Sequence, residues 1–388
     1  MSFLKLLQAE AKLIFSDIAI VLTIIGGVLF YSFLYPQPYA KESVSALSVS
    51  VVDLDRSDVS RQIIYELNAT PQVDVVQVDM SQRDALEVLE ATNVKAIIII
   101  PSHFKRDIAL GVSPTIAIGA DSSYFLIYGA VLEGAMKSVL TYSAKIKVTN
   151  LLKSQVPLER AKTSYSAFSL NVINLFNKNN SYTEYVVPAV FILILQQTLL
   201  IGMGILGGGV NERLKNRTYL HYLEAKTYQV LFARYLIFGS IFFVHILFYF
   251  GFSYEFFEIM HFADRGELLT FSFVFVLAVM GFGTFLGSLF SSREIATPVI
   301  LFSSLPLVFS VGFIWPLEAI PSFIHYLSYL SPSTPAIMGF LKLNQMGASF
   351  SMVSFELFVL LSQAVLYTIL GYYIVNKKKE KICQNLKM

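Results

Sequence analysis

Six long runs of apolar residues, almost free of charged side chains, recur along this sequence, and hydrocarbon is the solvent in which such runs are stable. Ile18 to Leu34 supplies 17 uncharged residues, ~25 Å as a helix. Tyr185 to Gly208, Val230 to Phe252, Leu268 to Phe290, Ala296 to Trp315 and Phe355 to Val375 are each long enough for a hydrocarbon core of roughly 30 Å. Lipid leaves no backbone N–H or C=O to water, so each run is read as a helix. The composition has the same bias: 14% of residues are charged and mean hydropathy is +0.61, where an ordinary soluble domain has about a quarter charged. The expected fold is an α-helical membrane protein with six transmembrane helices and, inserted after the first, an extracytoplasmic α/β domain.

That insertion spans residues 36–184, where 29 of the 56 charged residues fall. Ala46 to Val52, Val73 to Val78, Val94 to Ile100 and Thr115 to Ala120 read as strands. Ser57 to Asn68 and Ser81 to Ala91 read as helices, the second opening on Ser81 and Asp84, and Pro101 and Gly111 bracket a short one. This alternation points to crossover units on a largely parallel sheet. Tyr124 to Gln155 has the composition of a long helical arm, and Asn171 to Ser181 that of a polar loop. The single Cys383 excludes an internal disulfide, so the domain relies on its core. In residues 1–35, the segment Ser2 to Phe15 separates Leu4, Leu7, Ala11 and Ile14 from Lys5, Gln8 and Lys12; an interfacial helix and an extension of span one both fit.

Basic residues set the orientation. Outside the insertion there are 15 Lys and Arg, of which 13 lie in the N-terminus, the Arg213 to Arg234 connection, Arg293 or the tail at 377–388. Those parts are assigned to the cytoplasm, with both termini inside and residues 36–184 outside. Residues 185–376 then hold spans two to six, a cytoplasmic connection at 211–234 and an outer re-entrant segment at 316–354, broken by Pro321, Pro332, Pro335 and Gly347.

Ionisable groups are nearly absent at membrane depth, which removes the usual coupling chemistry of ion-driven carriers. His245 is mid-span without a carboxylate partner, and an interhelical hydrogen bond accounts for it. Gln196 and Gln197 either line a path or join helices, and Gly283 and Gly287 form a small-residue face. Pro306 either permits bending or holds a static kink. The five histidines have no metal spacing, and no nucleophile elbow or phosphate-binding loop occurs, so neither catalytic nor metal residues are assigned. Asp53 to Ser60 reads as an outer contact or as a capped turn opening a helix. Net charge of +2 gives no reason to invoke nucleic acid.

Four stretches carry a resemblance to the permeases of type-2 ABC exporters, in the bacterial multidrug-type subgroup with a large outer domain after span one. They are Asp53-Leu-Asp55-Arg-Ser57-Asp-Val-Ser60, Ile100-Pro101-Ser-His-Phe104-Lys-Arg106-Asp107, the segment from Glu212-Arg213 through Thr218 and Leu223, and Tyr329-Leu-Ser-Pro332 through Asn344-Gln345-Met346-Gly347. The third is similar to the family's coupling helix, although Arg217 stands where a glycine is usual and no proline occurs near Lys226. The resemblance implies an ABC ATP-binding subunit docked on Glu212, Arg213, Lys215, Arg217, Thr218, Leu223 and Glu224. It implies no cofactor on this chain, with ATP and Mg on that partner, and a second permease copy or sister permease. It also implies a translocation path past Gln196, Gln197 and Pro306, and an outer gate at Pro332, Pro335, Asn344 and Gln345. A periplasmic adaptor and outer-membrane channel accompany Gram-negative members, which places such a chain in the bacterial cytoplasmic (inner) membrane. The expected activity is outward movement of an amphiphilic or hydrophobic, drug-like or lipid-like compound. A receptor or assembly factor sensing through the outer domain is the alternative, although Asn376 to Met388 is too short for an output module.

Overall fold

The computed structural model describes residues 2–39, 45–79, 81, 83, 94–120, 125–160, 176, 183–184, 186–216, 221–315 and 317–386. They divide into two compact units, Ser43–Ile173 and the remainder of the chain.

The chain opens with helix α1, Phe3–Phe15, and a bend of 78° leads into α2, Ile18–Leu34. Asp17 forms the corner by capping α2, its Oδ1 accepting from the N–H groups of Ala19 at 3.1 Å and Ile20 at 3.5 Å. A π-helical turn, Leu22–Gly27, interrupts α2.

The second unit is built on β1 (Leu47–Asp53), α3 (Asp58–Asn68), β2 (Val73–Asp79), β3 (Ala96–Ile100), α4 (Phe104–Ala109), β4 (Ala117–Ala120) and α5 (Phe125–Lys153). Its four-stranded sheet has the order β2-β1-β3-β4; β1 is parallel to both neighbours and β4 is antiparallel to β3. Val49, Val51, Ile98 and Ile100 meet Ile63 of α3 and Ala135 of α5 in one core. The helix expected over Ser81 to Ala91 lies outside the described residues except for Ser81 and Arg83.

The two sequence motifs of this unit converge at the C-terminal ends of β1 and β3. Asp53 Oδ1 accepts from the N–H groups of Asp55 and Arg56 at 3.1 and 2.9 Å, and its Oδ2 accepts from Ser60 Oγ at 2.7 Å. Ser57 caps α3 through Ser60 N, the Lys105 N–H donates to Asp55 Oδ2 at 3.1 Å, and Lys105 Nζ meets Asp58 at 2.5 Å. A capped turn therefore accounts for Asp53 to Ser60.

The helical unit continues with α6 (Val186–Lys215), α7 (Thr227–Phe256), α8 (Arg265–Leu289), α9 (Ala296–Ser310), α10 (Ser333–Phe340) and α11 (Ser354–Leu386). The most apolar stretch of α6 is buried throughout, which makes it the central helix of the unit. Small residues bring α8 against it: a Cβ added at Gly207 would meet the carbonyl oxygen of Gly287 at 2.6 Å, and one at Gly283 would meet Met203 Sδ at 2.9 Å. The small-residue face thus closes the α6–α8 seam.

Length and hydropathy qualify α6, α7, α8 and α11 as membrane spans, or five spans when α1 and α2 count as one bent span. Six were expected. The shortfall lies partly at Ala296 to Trp315, where α9 has only 15 residues, about 22 Å, and stops before Gly312 takes φ +101°.

Candidate functional site

Most of the residues singled out for partner docking belong to the end of α6 and the connection that follows. The helix does not stop where charge begins: Asn211, Glu212, Arg213, Leu214 and Lys215 form its final turns. Likewise Thr227 to Arg234 is already α7, so the expected 211–234 connection reduces to a short link around a one-turn helix, His221–Glu224.

Asn211 holds the α6 end in place. Its Nδ2 donates to the carbonyls of Phe290 at 2.8 Å, Gly287 at 3.2 Å and Ser288 at 3.3 Å, acceptors that the end of α8 leaves without helical partners. One face of this end is apolar, with Val210 and Leu214 buried among Leu6, Ala225, Val230 and Ala233. The other is charged and open: Arg213, Lys215 and Glu224 are exposed, Glu212 is half-buried, and Leu223 packs on the apolar cluster. Arg217 and Thr218 lie outside the described residues.

Glu212 and Arg213 line a cleft of about 200 Å³ together with Asp17, Asn216 and Arg293. Arg293 Nη2 reaches Asp17 Oδ1 at 2.9 Å, tying the segment after α8 to the α1–α2 corner. Beside it, Arg234 Nε meets Glu10 Oε2 at 2.8 Å with both side chains almost fully buried. Sequence reasoning missed Asn211, Asp17 and the Glu10–Arg234 pair. The available signal was a lone acid in a basic helix and an arginine within an apolar run.

Of the residues expected along a path and at an outer gate, the four amides Gln196, Gln197, Asn344 and Gln345 are buried and hydrogen-bonded. Gln196 Nε2 donates to Ser331 Oγ at 2.9 Å, and Gln197 Nε2 to Ser304 Oγ at 2.8 Å, each joining α6 to another segment. Pro306 lies inside α9 and is exposed. Pro332 precedes α10 and Pro335 falls in its first turn, both buried. Asn344 donates to Tyr254 OH at 3.2 Å, while Gln345 donates to the carbonyls of Met260 at 3.3 Å and Glu184. These two amides tie the turn after α10 to the ends of α6 and α7. His245 Nε2 donates to Ile24 O at 2.7 Å and Tyr249 OH to Val28 O at 2.8 Å, so the helix-to-helix hydrogen bond expected of His245 is present at the π turn of α2. Asp264 caps α8, its Oδ1 accepting from the N–H groups of Gly266 and Glu267.

Helices long and apolar enough to cross a bilayer define a multi-pass membrane protein. Residues 18–373 match the family model described as ABC-2 family transporter protein, and the chain belongs to that family. It is the membrane component of such a transporter, a subunit that implies an ABC ATP-binding partner. A search of curated proteins returned no match.

Proposed function

We propose that the chain is the membrane-spanning permease of an ATP-driven exporter, moving an amphiphilic or hydrophobic compound outward across a bacterial cytoplasmic membrane. In this reading the six apolar runs span the membrane, both termini face the cytoplasm and residues 36–184 lie outside. The ATP-binding partner docks on Glu212, Arg213, Lys215, Arg217, Thr218, Leu223 and Glu224 and supplies ATP and Mg. A second permease copy or a sister permease completes the pathway, past Gln196, Gln197 and Pro306 toward Pro332, Pro335, Asn344 and Gln345. A periplasmic adaptor and outer-membrane channel extend it in a two-membrane envelope.

One observation supports the docking assignment above the others: a charged, exposed helix end fastened to its neighbour through Asn211. A push on that end reaches the α6–α8 seam without being lost in a slack loop, which suits rigid-body switching between two bundle states. Affinity purification of the tagged protein from its native membrane tests the reading. An ATP-binding subunit is expected to co-purify with ATPase activity, and to be lost with Glu212→Lys/Arg213→Glu. A particle with no such subunit and no nucleotide turnover overturns it.

A further inference from the structure

In the unit formed by Ser43–Ile173, α5 and the segment joining α4 to β4 border an open cavity of about 470 Å³. That volume falls within the range of roughly 300–1,000 Å³ typical of small-molecule sites. Ile63, Phe104 and Ala135 are buried in its walls, whereas Val112, Met136 and Leu140 remain 56%, 51% and 63% exposed at its mouth. Such apolar surface on an otherwise charged unit is a mark of binding rather than of a finished core.

The polar groups of the cavity are few and of one sign. Among the described residues no acid lines it, and Lys147 is the one charged residue that does, exposed near Asn150 on α5. Asp58 and Glu66, on α3, are each occupied by another cation: Asp58 by Lys105 at 2.5 Å and Glu66 by Lys145. Among the described residues the ammonium of Lys147 has no ion-pair partner, and it lies beside an amide able to donate a further hydrogen bond.

We propose that this cavity binds one small single-chain amphiphile, its apolar body against Phe104 and Ile118 and its anionic head at Lys147 and Asn150. The site stands independently of transport, since binding requires neither the ATP-binding partner nor nucleotide. The test uses the full chain in lipid nanodiscs, a dodecanoate bearing a terminal diazirine as probe, and peptide mapping after illumination. Label is expected in residues 104–118 and 135–150, displaced by plain dodecanoate but not by dodecyltrimethylammonium at the same concentration. Lys147→Glu, a surface change, is expected to lower that labelling roughly fivefold. Val139→Trp, which fills the cavity, is expected to abolish it. Label confined to the membrane helices, equal displacement by cation and anion, or labelling indifferent to Lys147→Glu would each overturn the assignment.

Discussion

Asn211 satisfies three carbonyls with one amide group, and Glu10 neutralises Arg234 where almost no water reaches either. Removing one member of a buried ion pair takes the nearest counter-charge from the other, a change that costs about 3–5 kcal/mol. Glu10→Ala is therefore expected to lower the unfolding temperature of the purified protein sharply, and Glu10→Ala/Arg234→Met to recover much of the loss. Equal melting of Glu10→Ala and the parent protein would show that the pair carries no load. Asn211→Ala is expected to cost about 1–3 kcal/mol by leaving acceptors at the α8 end unsatisfied. Its effect should appear as faster amide exchange at residues 285–290.

Two surface carboxylates give the sheet unit an acid response. The hydrogen bond from Lys105 holds the Asp58 carboxyl below its ordinary 3.8, and that from Lys145 holds Glu66 below its ordinary 4.5. A depressed native value means that the unfolded chain binds protons first as the pH falls. The stabilisation is complete above the ordinary values and disappears as pH drops through the lowered ones. Protection of the amides in residues 45–79, taken relative to the intrinsic exchange rate at each pH, is expected to fall from pH 5 to pH 3, and Lys105→Met/Lys145→Met to remove part of that dependence. None of these pairings was legible in the sequence. Glu10 and Arg234 are 224 positions apart, and no periodicity records a contact of that range.

At the scale of elements the sequence was readable wherever one physical term dominated. Strand β1 was expected over Ala46 to Val52 and runs Leu47–Asp53; the arm expected over Tyr124 to Gln155 is α5, Phe125–Lys153. Helix ends were less readable, because loss of hydropathy and loss of hydrogen bonding are different events. α6 loses its apolar character after Gly208 yet stays helical to Lys215, held by Asn211 and Leu214. Pro332 and Pro335 read as breakers, but proline is compatible with a helix start, and α10 begins there. The α6–α8 seam supplies a direct check on packing. Gly207→Ala places a methyl 2.6 Å from the Gly287 carbonyl oxygen, so the helices must separate. Overpacking of this kind costs about 1–3 kcal/mol. A lower unfolding temperature is expected, with Gly251→Ala, which has no neighbour within 4 Å, as the neutral control.

For the whole molecule, the family match over residues 18–373 makes the chain a transporter's membrane component, and the fold indicates how force could enter it. The charged side of the α6 end stands open while the other side is locked to α8 and to α7. This arrangement was partly legible: charge marked Glu212 and Arg213 as a docking segment, but not the amide that fixes them to the bundle. Cross-linking tests the docking claim most directly, and the single Cys383 makes it practical. With Cys383→Ser as background, a cysteine replacing Arg213 or Lys215 is treated with a short bismaleimide in native membranes. A covalent adduct to an ATP-binding subunit from both positions, and none from a cysteine replacing Glu318, is the predicted result. An adduct from Glu318 alone, or from none of the three while the subunit is present, would contradict the account.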